Sequence, residues 1–256
     1  MKIRVLGCSG GIGGVRRTTS ILVNDDILID CGTGVMDLEL EALEKIRHVF
    51  LTHTHLDHVA SLPLMLDSVS DKYENHSLTV HLSKESDQVI REDLFNWRLW
   101  PNFFDFGDGS APAIVSEIMR LGETRSIGSV EFKMLPAKHS VPAVGYLVRS
   151  EAGGSLAFSG DCSSNDELWA ALNELPSLDK LIIECSYPAE EEELSKKAKH
   201  YCSTSLASDL KKLQHQPEIF ISHLKAGNEE LIMQQLIDLL PALNISRLRN
   251  GQSFAL

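Results

Sequence analysis

His53-Thr54-His55-Leu56-Asp57-His58 places three imidazoles and a carboxylate in six consecutive residues, a density that packing alone does not call for. The segment before it, Arg47-His48-Val49-Phe50-Leu51-Thr52, ends in an apolar run with the length and β-branching of a buried strand. The cluster therefore stands where a strand ends. Helical spacing would scatter the four side chains over three faces, and strand spacing would put His55 and His58 on opposite faces. The spacing predicts a loop in which all four converge. Converging N and O donors suit zinc or a similar borderline divalent ion, and four of them exceed what one catalytic ion takes from one loop while keeping an open position. Two metal ions are the economical reading.

The missing ligands are expected at the ends of other strand-like runs. Phe132-Lys133-Met134-Leu135-Pro136-Ala137 leads to His139, Ser155-Leu156-Ala157-Phe158-Ser159-Gly160 to Asp161, and Glu218-Ile219-Phe220-Ile221-Ser222 to His223. Each alone could be a capping or satisfied polar group. Together with the six-residue cluster, the three segments predict one metal centre.

Read in this order, the pattern His-x-His-x-Asp-His, then His, Asp and His, resembles that of the metallo-β-lactamase superfamily along nearly the whole chain. The resemblance implies an α/β fold, the four-layer α/β/β/α sandwich, with residues 1–256 as a single hydrolase domain. It also implies a ligand set: His53, His55 and His139 for one metal, Asp57, His58 and His223 for the other, and Asp161 bridging. Leu28-Ile29-Asp30-Cys31-Gly32-Thr33-Gly34 is similar to the superfamily's early strand and turn, where the Asp supports the site from behind the ligands. A capping Asp in a tight Gly turn is the alternative for Asp30.

Two branches of the superfamily use this ligand set on phosphodiesters, the ribonuclease Z-like nucleases and the class II 3′,5′-cyclic nucleotide phosphodiesterases. His53 to Val59 resembles the signature of the second, as do Ile183-Glu184-Cys185-Ser186-Tyr187-Pro188 and, less specifically, Asn96 to Phe103. Pro63 stands where that signature runs apolar. No Gly- and Lys-rich arm of the kind ribonuclease Z uses to grip tRNA is visible. The resemblance thus implies a dinuclear metal-dependent phosphodiesterase hydrolysing cAMP or cGMP to 5′-monophosphates, with two divalent ions, zinc first and manganese or iron next. Asp57, Glu184 and His200 are the expected catalytic group. By similarity to the ribonuclease Z branch, Glu184 would pair with His200 and hold it protonated as a donor to the leaving alcohol. His200 could instead merely flank the Lys-rich helix. The rival readings are a ribonuclease Z-like, thioester or lactone hydrolase, and a metal-bound sensor without turnover.

Composition narrows the partners. A net charge of −12 and a pI near 5.3 repel polyanions, so a small phosphodiester is expected rather than a long nucleic acid. No leader or membrane-length apolar stretch stands out, and a soluble, cytoplasmic protein is expected. The five cysteines, Cys8, Cys31, Cys162, Cys185 and Cys202, form no C-x-x-C pair and read as free thiols. Cys162 follows Asp161 but should point elsewhere.

The coarse order is strands and turns to residue 52, a helix after His58, a polar and partly helical stretch over 67–110, strands over 114–160, and helices near 165–175, 190–213 and 228–240. The loop Gly7 to Gly14 lacks a following helix to hold a pyrophosphate. It reads as a hairpin turn at the mouth of the site, with Arg16 and Arg17 either exposed or reaching substrate phosphate. Trp97, Trp100, Phe103, Phe104 and Phe106 suit a core, the seam of a homodimer, or a stacking surface for a nucleobase.

Overall fold

Strands apolar on both faces need a neighbouring layer on each side, and this chain builds two such sheets. The structure, a computed structural model, describes residues 1–72, 76–106 and 111–256. One sheet contains β1 (Lys2–Gly7), β2 (Ser20–Val23), β3 (Ile27–Ile29), β4 (His48–Phe50), β5 (Leu78–Leu82) and β6 (Ile114–Ile118). The other contains β7 (Thr124–Ile127), β8 (Val130–Pro136), β9 (Val144–Ser150), β10 (Ser155–Phe158), β11 (Lys180–Glu184), β12 (Glu218–Ser222) and β13 (Ile245–Arg247). The last strand, β14 (Ser253–Ala255), returns to the first sheet, so the orders are β14-β1-β2-β3-β4-β5-β6 and β13-β12-β11-β10-β9-β8-β7. Strands β3 to β6 run parallel, as do β10 to β13.

Alternation along each strand sets the layers. Ile3, Val5, Phe50, Phe132, Tyr146 and Phe158 pack between the sheets. Leu28 and Val49 turn the other way, onto Leu62, Met65 and Leu66 of a helix that spans Ser61–Val69. Leu181, Ile183 and Ile221 turn onto Trp169, Leu206 and Ile232, which lie on helices spanning Asp166–Asn173, Ser203–Leu210 and Glu229–Leu239. The result is helix, sheet, sheet, helix, the expected α/β sandwich. Phe50, with none of its surface exposed, stacks on Phe132 at 3.9 Å between centroids; removing such a ring costs about 3–5 kcal/mol.

Three expectations are corrected. The stretch 67–110 contains strand β5, parallel to both β4 and β6; buried His81 in Leu78-Thr79-Val80-His81-Leu82 gave this central strand a polar look. Residues 73–75 and 107–110 of that stretch lie outside the described residues. The helix near 190–213 is two helices, Glu192–Ala198 and Ser203–Leu210, because Lys199 takes a left-handed conformation with φ 55° and turns His200 inward. Finally, the segment His53 to His58 is only partly a loop: Asp57 and His58 lie in a helical turn, Leu56–Val59, which His55 precedes as the N-cap. Among the described residues no helix is long and apolar enough to cross a membrane.

Candidate metal centre

The carboxyl ends of five strands lead to one place, as sheet-bound sites commonly do. After β4 come His53 and His55 on extended backbone and Asp57 and His58 on the helical turn. After β8 comes His139, after β10 Asp161, and after β12 His223, while β11 ends at Glu184 itself. Backbone constraints aim these groups. Gly160 sits at φ 60°, and a Cβ there would meet Val144 O at 2.6 Å, so only glycine lets the chain turn Asp161 inward. Asp30 and His223 both take φ 58° without being glycine, strain of the kind that surrounding contacts must hold in place.

The donor atoms form two groups that share one residue. Those of His53, His55, His139 and Asp161 lie within 4.8 Å of one another, and so do those of Asp57, His58, Asp161 and His223. Asp161 Oδ2 is 3.8 Å from His53 Nε2 and 3.1 Å from His223 Nε2, and its Oδ1 is 3.3 Å from His58 Nε2. His139 Nε2 lies 3.1 Å from His55 Nδ1, and His223 Nε2 3.1 Å from Asp57 Oδ2. The structure thus brings together all seven residues expected as ligands.

This set fits divalent metal ions. His53 Nε2 and His58 Nε2 are buried without a hydrogen-bond partner, a cost that a coordinated cation removes. Burial lowers the pKa of His53, His55 and His139, which keeps these imidazoles neutral as ligands must be. Burial works against charge on His58, but Asp161 and Asp30 overcome it and raise its pKa. Burial raises Asp161 and Asp57 toward neutrality, yet the surrounding histidines, His223 foremost, hold both carboxyls below their usual range. The centre as a whole attracts positive charge.

Outer partners fix the ring orientations, as is usual around metal ligands. Asp30 Oδ2 lies 2.7 Å from His58 Nδ1, and Asp30 Oδ1 accepts the Thr52 N–H at 2.8 Å. Asp30 therefore supports the donor cluster through His58 and Thr52. The Thr52 hydroxyl donates to Asp30 Oδ2 at 2.8 Å and lies 3.0 Å from His53 Nδ1. His139 Nδ1 lies 2.9 Å from the carbonyl of Lys199, the left-handed residue that splits the helix.

Beside the cluster, His200 Nδ1 lies 2.8 Å from Glu184 Oε1 and 4.0 Å from Asp161 Oδ2. Burial disfavours the imidazolium, but Glu184 more than compensates and His200 is raised above its ordinary value. Between this pair and the cluster sits Ser186, whose hydroxyl is within 3.1 Å of Glu184 Oε2 and His200 Nδ1 and 3.0 Å from His223 Nδ1. Sequence reasoning missed Ser186 and Thr52. The available signal was their spacing: Ser186 is two residues beyond Glu184, and Thr52 sits at a strand end against Asp30.

Other expectations resolve differently. Arg16 pairs with Glu229 at 2.7 Å and Arg17 with Asp37 at 2.9 Å, so a carboxylate already engages each guanidinium. The Gly loop does border the centre, since a Cβ on Gly10 would meet His223 O at 2.5 Å. Cys162 is buried among the outer helices' side chains, and all five cysteines are free. In the aromatic segment Phe103 is buried and Trp100 and Phe104 pack on the first helix layer, whereas Trp97 and Phe106 are exposed.

A β-lactamase superfamily domain matches residues 25–227. Among curated proteins, the chain is 30% identical over 210 residues to a probable 3′,5′-cyclic-nucleotide phosphodiesterase of Yersinia pestis, covering 73% of this chain and 59% of that one. It is 29% identical over 161 residues to a ribonuclease Z of Parabacteroides distasonis, covering 59% and 50%. The chain thus spans between half and three fifths of the length of these relatives. Among solved structures, unliganded yeast PDE1 superposes with a TM-score of 0.82 at 15% identity, covering 98% of each chain.

Proposed function

The chain belongs to the β-lactamase superfamily, and from that membership we propose that it is a dinuclear metal-dependent phosphodiesterase hydrolysing 3′,5′-cyclic nucleotides to 5′-monophosphates. The observation that carries the reading is two four-residue donor groups sharing Asp161, with the His200–Glu184 pair beside them. The similarity to the Yersinia pestis protein supports the substrate class.

In this reading His53, His55 and His139 hold one ion, Asp57, His58 and His223 the other, and Asp161 both. When bound, the ions, zinc before manganese or iron, supply charge neutralisation at the phosphoryl oxygens and a water of lowered pKa. The protein's own groups do the rest. Asp30 and Thr52 hold His58 and His53 in place. Glu184 accepts from His200 Nδ1 and favours the imidazolium, which leaves Nε2 to give its proton to the ribose 3′-oxygen as the P–O bond breaks. That alcohol is a poor leaving group, so protonation should contribute about 10²- to 10⁴-fold.

Steady-state turnover of cAMP, cGMP, a linear RNA phosphodiester and a thioester by the metal-loaded protein tests the reading. Cyclic nucleotides should be the best substrates. The ribonuclease Z relatives support hydrolysis of a linear phosphodiester as the second reading, and preferential cleavage of that substrate would replace the first.

A further inference from the structure

His200, the proposed proton donor, has three aromatic neighbours. The His223 ring stacks on it at 5.1 Å between centroids, and the His139 ring meets it edge-on at 4.7 Å. Both of these belong to the donor groups. The third does not: the Tyr187 ring lies 5.9 Å from that of His200 between centroids, at 64° between planes, and neither metal binding nor the proposed proton transfer uses it.

Backbone pairing fixes the root of this ring. Tyr187 N–H donates to Tyr201 O at 3.2 Å and Ser203 N–H to Tyr187 O at 3.1 Å, an isolated bridge that joins Tyr187 to the segment carrying His200. The side chain itself is loosely engaged. It is half-buried, it belongs to none of the three apolar clusters, and its hydroxyl makes no hydrogen bond among the described residues. Tyr146 and Tyr201 differ on every count: both are fully buried in the clusters, and their hydroxyls donate to Leu51 O and Asp209 Oδ2. Core packing accounts for those two tyrosines and not for Tyr187.

We propose that Tyr187 determines specificity at the metal centre by stacking on the nucleobase of the substrate. This rests on the proposed activity and names the group that holds the base. His200 Nδ1 is turned to Glu184 at 2.8 Å, whereas Nε2 makes no hydrogen bond among the described residues. The leaving oxygen must therefore approach Nε2, and the nucleoside that carries this oxygen adjoins the His200 ring. Tyr187 is the aromatic neighbour of His200 that lies outside the donor set. A π face accepts any base, and a ring rooted in paired backbone has little freedom left to lose on binding.

Equilibrium dialysis of AMP and of ribose 5-phosphate against the metal-loaded protein tests this, because the two share phosphate and sugar and only AMP carries a base. Tyr187→Ala should weaken AMP binding by about 5- to 100-fold, the span for a stacked base lost by alanine substitution, and leave ribose 5-phosphate binding unchanged. Tyr187→Phe should bind AMP as wild type does, since stacking needs the ring and not the hydroxyl. Tyr187→Leu, which keeps the bulk without the π face, should be weakened as the Ala variant is. Metal content and melting temperature should be equal in all of them. AMP affinity unchanged in Tyr187→Ala, an equal loss of ribose 5-phosphate, or a Phe variant as weak as Ala would each overturn the inference. None of these readouts depends on turnover, so an absence of cAMP hydrolysis by wild type would end the proposed activity and be told apart from a failure at Tyr187.

Discussion

The Ser186 hydroxyl lies 3.0 Å from His223 Nδ1 and links that imidazole to the Glu184–His200 pair. His223 Nε2 is turned to Asp57 and Asp161, so with Nε2 given to a metal ion Nδ1 would carry the ring proton and donate to Ser186 Oγ, whose own proton goes to Glu184 Oε2. One hydroxyl proton thus closes a chain from the donor cluster to the proposed acid.

Ser186→Ala should therefore loosen the metal held by Asp57, His58 and His223 by about 10- to 100-fold and leave the other ion's affinity within a few-fold. Competition with a metal-buffering chelator measures both constants. Equal weakening of the two would assign Ser186 a general packing role instead.

Asp161→Ala should weaken both metals together, because its two oxygens face both donor groups. His223→Ala should chiefly release one. Elemental analysis after dialysis distinguishes them, and single-site loss in both variants would contradict the ligand assignment.

Acid stability should depend on His81. Burial, then His48 and Arg125, lower its pKa to about 3 from 6.5, so below pH 6.5 the unfolded chain takes up a proton that the folded chain refuses. Stability present above pH 6.5 is then lost as pH falls toward 3, by up to about 1.4 kcal/mol per pH unit. Urea unfolding at pH 7 and pH 5 should show a smaller pH-dependent loss in His81→Leu than in wild type. An identical loss in the two proteins would place the acid sensitivity elsewhere.

The contrast between what the sequence announced and what it hid has a physical basis. Metal ligation demands particular residue types, and strand ends place them at recognisable positions, so His53, His55, Asp57, His58, His139, Asp161 and His223 were visible as a group before the fold was. Hydroxyl partners carry no such mark: Ser186 and Thr52 matter through where tertiary packing sets them. The left-handed Lys199 was hidden for a related reason, since Glu192 to Ala198 is a good helix sequence and the break serves His200 and the carbonyl that meets His139. Strand β5 was obscured because His81 stacks on Phe50 at 4.2 Å between centroids and fills a core position with a polar residue.

His200→Ala should slow hydrolysis of cAMP far more than that of bis(p-nitrophenyl) phosphate, whose leaving group departs without a proton. Glu184→Gln should reproduce the defect, and the double variant should be little worse than either single one. Metal content should not change in His200→Ala, because His200 lies outside both donor groups. Equal slowing of both substrates would assign His200 to binding or packing.

The most direct measurement is a titration of metal-stripped protein with zinc, and separately with manganese, while hydrolysis of cAMP to 5′-AMP is followed. The rate should rise to its maximum at two equivalents, as the proposed pair of metal sites requires. A maximum at one equivalent, or no 5′-AMP at any loading with either metal, would contradict the account.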